Sequence, residues 1–325
     1  MIIVDKVYGR QEVVDPLIVE LLCSSELERL KGVGQYGTWN LMDKRFDTTR
    51  FEHSFGVYCL LRHFGAAEEE MIAGLLHDVN HTAFSHVVDY VLGDPSTQDF
   101  GDSKHHDIIM GSSIPSLLKK KDIDISKVCD PHNFGLLERD LPDLCCDRLD
   151  YCLRDSLCCG FIGQKDAAEI LGGLTIHEGE IICKDRESAS RLARLFLKTS
   201  KFLWSNEVQT GSFSLLAEAL KIAIKEKIIS VDDLYTTDDI LFNKLRDSGN
   251  PLITNILSSL RTEAIVIGTK EDHDIFGKSK ARYIDPKFME GNSIKRLSDA
   301  DPEFKKDIDD LRRWIAAGFY IKFRK

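Results

Sequence analysis

The sequence predicts a mainly α-helical protein with a smaller α+β C-terminal region containing short strands. Three observations carry this prediction. Apolar residues recur at helical spacing through most of the first 165 positions, and turn-flanked apolar runs of strand length come only after them. With 325 residues, 43% of them hydrophobic and 30% charged, the chain has material for a sizeable core. We therefore divide it into a helical core over residues 1–165 and a mixed region over residues 166–325.

The elements follow in order. DPLIVELLCSSELERLK, from Asp15 to Lys31, places apolar residues at 17, 18, 21, 22, 27 and 30, with Pro16 at its start. FEHSFGVYCLLRHFG puts His53, Val57, Leu60, Leu61 and Phe64 on one side of a second helix that Gly65 stops. AAEEEMIAGLLHDV begins with glutamates where a helix dipole favours them, and its last turn delivers His77 and Asp78. HVVDYVL, HHDIIMGSSIPSLL and LPDLCCDRLDYCLRD read as further short helices, the last with Pro142 in its first turn.

LTIHEGEIICKD has apolar runs around a Glu-Gly turn, which predicts a hairpin near 174–184. Long helices follow near 187–205 and 212–227, separated by Gly211, and short strands near 263–268, 281–284 and 318–323. The terminal YIKFRK reads as an edge strand protected by basic residues, and DIDDLRRW before it as an amphipathic helix that buries Trp314.

Composition narrows the function. A formal net charge of −10 argues against a large nucleic-acid footprint, which requires clustered Lys and Arg, but leaves room for a small phosphorylated substrate. The opening MIIVDKVYGRQEVVD resembles neither a signal peptide nor a membrane span, so a cytoplasmic location is the expectation. The nine cysteines show no C-x-x-C spacing, despite the neighbours Cys145/Cys146 and Cys158/Cys159, and read as reduced core thiols.

The chemistry concentrates in histidines and aspartates. His53, the pair His77 and Asp78, and Asp147 combine imidazole with carboxylate, a donor set for one divalent ion of Mn, Fe, Ni, Zn or Mg. Two neutral imidazoles and two carboxylates neutralise such an ion, so the group tolerates partial burial. His77 and His81 share a face if the helix continues past Asn80, and His81 and His86 then suit proton delivery or phosphate binding. KHHD adds His105, His106 and Asp107, and His105 with His132 offers donors for a second ion.

These segments carry a resemblance. RFEHSFGV at 50–57, LLHDVNHTAFSH at 75–86 and DRLDYCLRD at 147–155 resemble the HD-domain metal-dependent phosphohydrolases, and are most similar to the deoxynucleoside triphosphate triphosphohydrolase branch. The similarity extends upstream through VYG at 7–9, DPLIVELL, and ELERLKGVGQYG at 26–37. It implies an HD-domain helical core in which His53, His77, Asp78 and Asp147 hold the metal. His81 and His86 match the family's catalytic histidines, with Asn80 and Ala83 replacing its glycine and proline. His106 and Asp107 match a His-Glu pair, and His105 gives a competing alignment.

Arg50 matches a phosphate contact and Gln35 and Tyr151 match sugar contacts, with Tyr36 beside the sugar. Asp155 matches the acid of the family's R-D ending, and Arg148 adjoins Asp147. The resemblance thus implies a nucleotide substrate and a homo-oligomer. A phosphodiesterase, a nucleoside monophosphate phosphatase and a noncatalytic HD-fold regulator are the alternatives.

Overall fold

A two-stranded antiparallel hairpin, Ile2–Asp5 with Gly9–Glu12, opens the chain, an element absent from the sequence reading. The structure is a computed structural model and describes residues 1–98 and 100–324. Helices dominate from Pro16 to Gly172, and the predicted elements there appear with adjusted bounds. The expected helix over 15–31 is two, Pro16–Leu22 and Ser25–Leu30, because Ser24 caps the second through its side chain on Leu27 N. Arg50–His63 starts at a capping box in which Thr49 and Glu52 satisfy each other's backbone groups.

Glu68–Leu76 ends sooner than expected, with His77 as its cap, so His81 lies beyond it and not on its face. Helix Cys146–Cys158 likewise starts after Pro142, which occupies the preceding turn rather than the helix.

The predicted hairpin forms between Leu174–His177 and Glu180–Cys183, turning at Glu178 and Gly179 with φ of 47° and 77°. Both turn residues are left-handed, as a two-residue hairpin turn requires. Arg186–Thr199 continues into a π turn over Ser200–Trp204 and is followed by the long helix Glu207–Lys225. Gly211 lies inside that helix and does not separate two helices. A β-carbon there would stand 2.6 Å from Ile265 Cγ2 and 3.1 Å from Ile321 Cγ2, so the glycine lets the helix press onto a sheet.

That sheet has the order Ile265–Ile267, Phe319–Phe323, Ile275–Gly277. Phe319–Phe323 is therefore a central strand and not an edge; Lys325 of the YIKFRK segment lies outside the described residues. Residues 281–284 form no strand, whereas Lys287–Glu290 and Ser293–Arg296 pair with each other and extend the 174–183 hairpin. Trp314 is 37% exposed on helix Pro302–Ala317, with its ring edge-on to Phe319 at 5.0 Å. All nine cysteines are free; six are buried as expected of core thiols, whereas Cys23 is exposed and Cys158 and Cys159 are half-buried.

One core cluster runs from Val7 through the 50–158 helices to Ile315, so the mixed region packs directly on the helical one. A second cluster joins Phe84, Val87 and Val88 to Phe213, Leu216, Leu220 and Leu241. The loop after His81 thus rests on the C-terminal half of the chain. Among the described residues, no helix is long and apolar enough to cross a membrane.

Gly211→Ala tests the helix-on-sheet contact. Alanine favours a helix by about 1 kcal/mol, but forcing a methyl into packed side chains costs about 1–3 kcal/mol. The expected outcome is a lower thermal midpoint, and a raised one would show that the contact relaxes freely.

Candidate metal centre

Three helix termini converge on one point. The first turns of Arg50–His63 bring Arg50 and His53, the C-terminus of Glu68–Leu76 brings His77 and Asp78, and the start of Cys146–Cys158 brings Asp147. His53 Nε2, His77 Nε2 and an Asp147 oxygen all lie within 4.8 Å of one another. The two imidazole nitrogens are 3.2 Å apart, and Asp147 Oδ1 is 3.0 Å from the first and 3.6 Å from the second. Asp78 closes the group, with Oδ1 3.5 Å from His77 Nε2 and Oδ2 3.7 Å from His53 Nε2. The four predicted ligands are therefore brought together, and two facing imidazole nitrogens between carboxylates make a donor set that suits a divalent cation.

The far nitrogens are anchored. His53 Nδ1 lies 2.7 Å from Asp150 Oδ2, and His77 Nδ1 lies 2.7 Å from the Gly74 carbonyl oxygen. Each anchoring bond places a hydrogen on Nδ1 and turns Nε2 toward the centre. Asp150 is itself fully buried and receives Tyr8 Oη at 2.7 Å and Arg154 Nε and Nη2, each at 2.9 Å. Arg154, 1% exposed, also meets Asp5 at 2.9 Å. A β-carbon on Gly56 would lie 2.0 Å from Asp150 Oδ1, so this glycine makes room for the acid.

Electrostatics follow from these neighbours. Burial works against charging His53, but its bonds to Asp147 and Asp150 and the charge of Asp78 raise it to about 10. Burial would likewise raise Asp78, yet Arg50, His77 and His81 hold it well below the ordinary carboxylate range. Burial and the nearby Arg50 push His81 down to about 4, and burial with His81 and Arg50 takes His86 well below its usual value. Both imidazoles are neutral at pH 7.

The centre opens into a cavity of about 820 Å³. Arg50 is 4% exposed, donates to Asp78 Oδ2 at 2.8 Å and Ser85 Oγ at 2.9 Å, and lines the cavity. His81 bonds Asp78 Oδ1 at 3.1 Å, and its ring meets His86 edge-on at 5.0 Å. His86 Nδ1 is in turn 3.3 Å from Asp89 Oδ2.

Gln35, Tyr151 and Asp155 reach the same cavity. Gln35 Oε1 and Asp155 Oδ1 have no hydrogen-bond partner, and burial raises the Asp155 carboxyl to about 7. The Tyr36 ring packs edge-on to Phe46 at 5.5 Å, and its hydroxyl is spent on Thr48 Oγ1 at 3.0 Å.

Two placements depart from the sequence reading. The His106 and Asp107 side chains are 66% and 76% exposed on helix Asp102–Met110, where His106 still lines the cavity and Asp107 does not, while His105 is buried in the same lining and lacks a partner for either ring nitrogen. His105 and Ile109 share the inward face at i and i+4, which turns their neighbours outward. Arg148 lines the cavity but is held by Glu138 Oε1 at 2.8 Å and by Cys145 Sγ and the Asp143 carbonyl oxygen, each at 3.2 Å. Glu138, Cys145 and Asp147 have metal-like spacing of their own, and the Arg148 guanidinium already neutralises that group.

Sequence reasoning missed Asp150, Arg154, Tyr8 and Asp5. Asp150 was within reach, since it follows Asp147 by three residues on one helix, but a buried acid on an apolar stripe gives no local signal. Lys280 and Arg282, which also line the cavity, come from an irregular segment with no periodicity to mark it.

The model of the HD domain family matches residues 50–155, the stretch that holds this donor set. A metal-dependent phosphohydrolase of Cordyceps militaris, cns2, is 32% identical over 300 residues, covering 88% of this chain and 84% of that one. The chain belongs to the HD-domain metal-dependent phosphohydrolases. The uncharacterised Bacillus subtilis protein YdhJ is 35% identical over the whole of both chains. Human SAMHD1, a deoxynucleoside triphosphate triphosphohydrolase, is 32% identical over 103 residues, only 27% of this chain and 16% of that one. A solved phosphohydrolase from Bacteroides thetaiotaomicron shares the fold across the full length of both chains, with a TM-score of 0.69 at 16% identity.

This HD-domain phosphohydrolase is accordingly a hydrolase of phosphoric esters, with a His/Asp cluster that can bind a divalent ion. Asp150→Asn keeps the size of the side chain but weakens its hold on His53 and Arg154. We expect metal affinity to fall by about 10–100-fold, as loss of such support usually does, measured by chelator competition. Because His53 is raised to about 10 and His77 is raised as well, metal uptake near pH 8 is expected to release at least one proton and uptake above pH 10 fewer. Calorimetry in buffers of different ionisation enthalpy reads that difference, and equal release at both pH values would show that His53 is neutral without metal.

Proposed function

We propose that the enzyme hydrolyses nucleotides at the phosphorus nearest the nucleoside, with one divalent ion held by His53, His77, Asp78 and Asp147. The observation that carries this reading is the division of the cavity. One wall holds the donor set with Arg50, and the remainder has room for a sugar and base, with the polar side chains of Gln35, Gln209 and Asp155 among its lining. Tyr151 and Trp204 add aromatic surface there, with their rings edge-on at 5.0 Å. About 820 Å³ exceeds what a bare phosphate fills and lies in the range of small-molecule sites.

A divalent ion in this donor set supplies Lewis-acid polarisation of a phosphoryl oxygen. The chain's own groups supply the rest. Arg50 is preorganised by Ser85 and Asp78 to face the charge that develops on phosphorus as water adds and the ester P–O bond breaks. His86, oriented through Nδ1 by Asp89, presents Nε2 to the leaving oxygen. It is neutral at rest, and an anionic phosphate beside it favours the protonated form that donates to the departing nucleoside. His81, bonded to Asp78, faces the same phosphate. Arg282 and Lys280 add positive charge for a longer phosphate chain, which supports a triphosphate substrate and a nucleoside-plus-triphosphate product. His105 and His106 both line the cavity, and His105, the buried one of the two, is the better placed to face substrate, while Asp107 is not among the lining residues.

We extend the reading to a cytoplasmic homo-oligomer, with manganese the first ion to try. The experiment is a panel of nucleoside mono-, di- and triphosphates, cyclic nucleotides and sugar phosphates, assayed with Mn, Mg, Fe, Ni and Zn, with products identified by chromatography. Release of free nucleoside is expected, with triphosphate as the other product from triphosphate substrates. Cleavage confined to sugar phosphates or to terminal phosphates would refute the proposal. Asp147→Ala, which removes the carboxylate shared by both ligand histidines, is expected to lose both bound metal and hydrolysis. Unchanged metal content in that variant would remove Asp147 from the donor set.

A further inference from the structure

The loop that carries His81 and His86 contains a backbone anomaly. Phe84 and Ser85 are consecutive non-glycine residues at φ of 60° and 50°. Left-handed backbone costs about 1 kcal/mol or more for each such residue, so the surrounding structure must hold it. Ser85 is where Arg50 is seated, through Nε to Oγ at 2.9 Å, and His86 follows it directly.

What holds the turn comes from far along the chain. Asp238, at the start of helix Asp238–Arg246 and 5% exposed, accepts Phe84 N–H at 2.7 Å on Oδ1 and Gly34 N–H at 2.9 Å on Oδ2. Its own N–H donates to the Gly32 carbonyl at 2.9 Å, and Ala83 N–H donates to the Leu234 carbonyl at 2.8 Å. Arg29 spans the same junction, with Nη2 on the Val79 carbonyl at 2.8 Å and Nη1 on the Thr236 carbonyl at 3.3 Å. Ser85 Oγ closes the circuit on the Gly34 carbonyl at 2.7 Å. The segment next to Gln35 and the segment next to His86 are thus tied to one carboxylate that touches neither the metal ligands nor the cavity lining.

We propose that Asp238 is a positioning residue for the hydrolytic reaction, fixing the left-handed turn at Phe84 and Ser85 so that His86 and Arg50 meet the phosphate in register. The proposal rests on the hydrolase assignment and not on the nucleotide reading. It gives residues 234–238 a part in the chemistry, since the carboxylate of Asp238 bonds the backbone beside His86 and Gln35 and no metal ligand. The Asp238 carboxylate acts on the turn that seats the charge-stabilising and proton-donating groups, and meets the donor set only indirectly, through the bond from Arg50 to Asp78.

Asp238→Asn is the test. Its amide NH2 faces one of two backbone N–H donors, so one bond becomes a donor–donor contact. The assay uses the fastest nucleotide of the panel, or bis(p-nitrophenyl) phosphate if none is cleaved, so failure of the nucleotide reading leaves this test intact. We expect kcat to fall by about a hundredfold, as misplacement of reacting groups does, with manganese content per chain unchanged. Amide exchange should accelerate at Phe84 and Gly34 but not along helix Cys146–Cys158. The exposed neighbour Asp239→Ala should leave kcat unchanged.

Wild-type kcat in Asp238→Asn with faster Phe84 exchange would overturn the proposal. So would loss of manganese in step with activity, which would make the role merely structural. If Asp238→Asn does not fold, Arg29→Met, which unlinks Thr236 from Val79 while leaving Asp238 in place, carries the same test. A fall in kcat at constant manganese content supports the clamp, and wild-type kcat refutes it.

Discussion

The bond between His53 and Asp150 is the constraint on which the site depends. Asp150 has no solvent exposure, and a buried carboxylate survives only where cations and donors compensate it. Arg154 supplies the charge, Tyr8 a hydroxyl and His53 an imidazole N–H, while Asp5 balances the second face of Arg154. Removing one member of such a buried group leaves an unpaired charge, at a cost of about 3–5 kcal/mol. The N-terminal hairpin is therefore part of the metal centre in energetic terms, because it delivers Asp5 and Tyr8 to the helices that bear the ligands. Burial adds a functional consequence. A histidine with one nitrogen held this way cannot rotate its other nitrogen away from the centre.

The site divides by mechanical origin. Metal donors stand on helix termini whose axes are fixed by the main core, and their spacing is set by helix packing at positions such as Gly56. The groups facing the phosphate are held differently. His86 and the Arg50 seat depend on a strained turn, and the hydrophobic cluster beneath it, with Phe84 against Phe213 and Leu216, comes from the C-terminal half. The two supports meet at Arg50, which bonds both Ser85 in the turn and Asp78 in the donor set.

This division explains what the sequence disclosed. The donor set and the helices that carry it were legible because each ligand lies inside a strongly periodic segment with a local signature. The hairpin at 174–183 was legible because Glu178 and Gly179 announce their turn. Legibility ended where a residue's meaning lay in a distant partner. Asp150 reads as one acid among several until Arg154, Tyr8 and Asp5 surround it. His105 and His106 are adjacent, and only packing against the core decides that His105 turns inward while His106 stays 66% exposed. Gly211 reads as a breaker on propensity alone, yet it is spent on closeness between a helix and a sheet. Strands Lys287–Glu290 and Ser293–Arg296 were missed because they carry charge on exposed faces and pair with a hairpin a hundred residues upstream.

The chain is acidic overall, yet three cations, Arg50, Lys280 and Arg282, stand beside His86, and the difference bears on mechanism. A protein of net charge −10 repels phosphorylated small molecules at long range, so capture depends on local groups. Inside the cavity Arg50, Lys280 and Arg282 stand near His86, and burial with these cations keeps its imidazole neutral. A phosphate entering beside these cations brings negative charge next to His86, and that charge favours protonation of its imidazole. In the proposed mechanism, substrate binding and arming of the proton donor are then one electrostatic event. A permanently charged residue at position 86 would bind phosphate as well, but it would not couple the proton to the substrate's arrival. Histidine, held by Asp89 and ringed by cations, is the side chain whose ordinary titration range makes that coupling available near neutral pH.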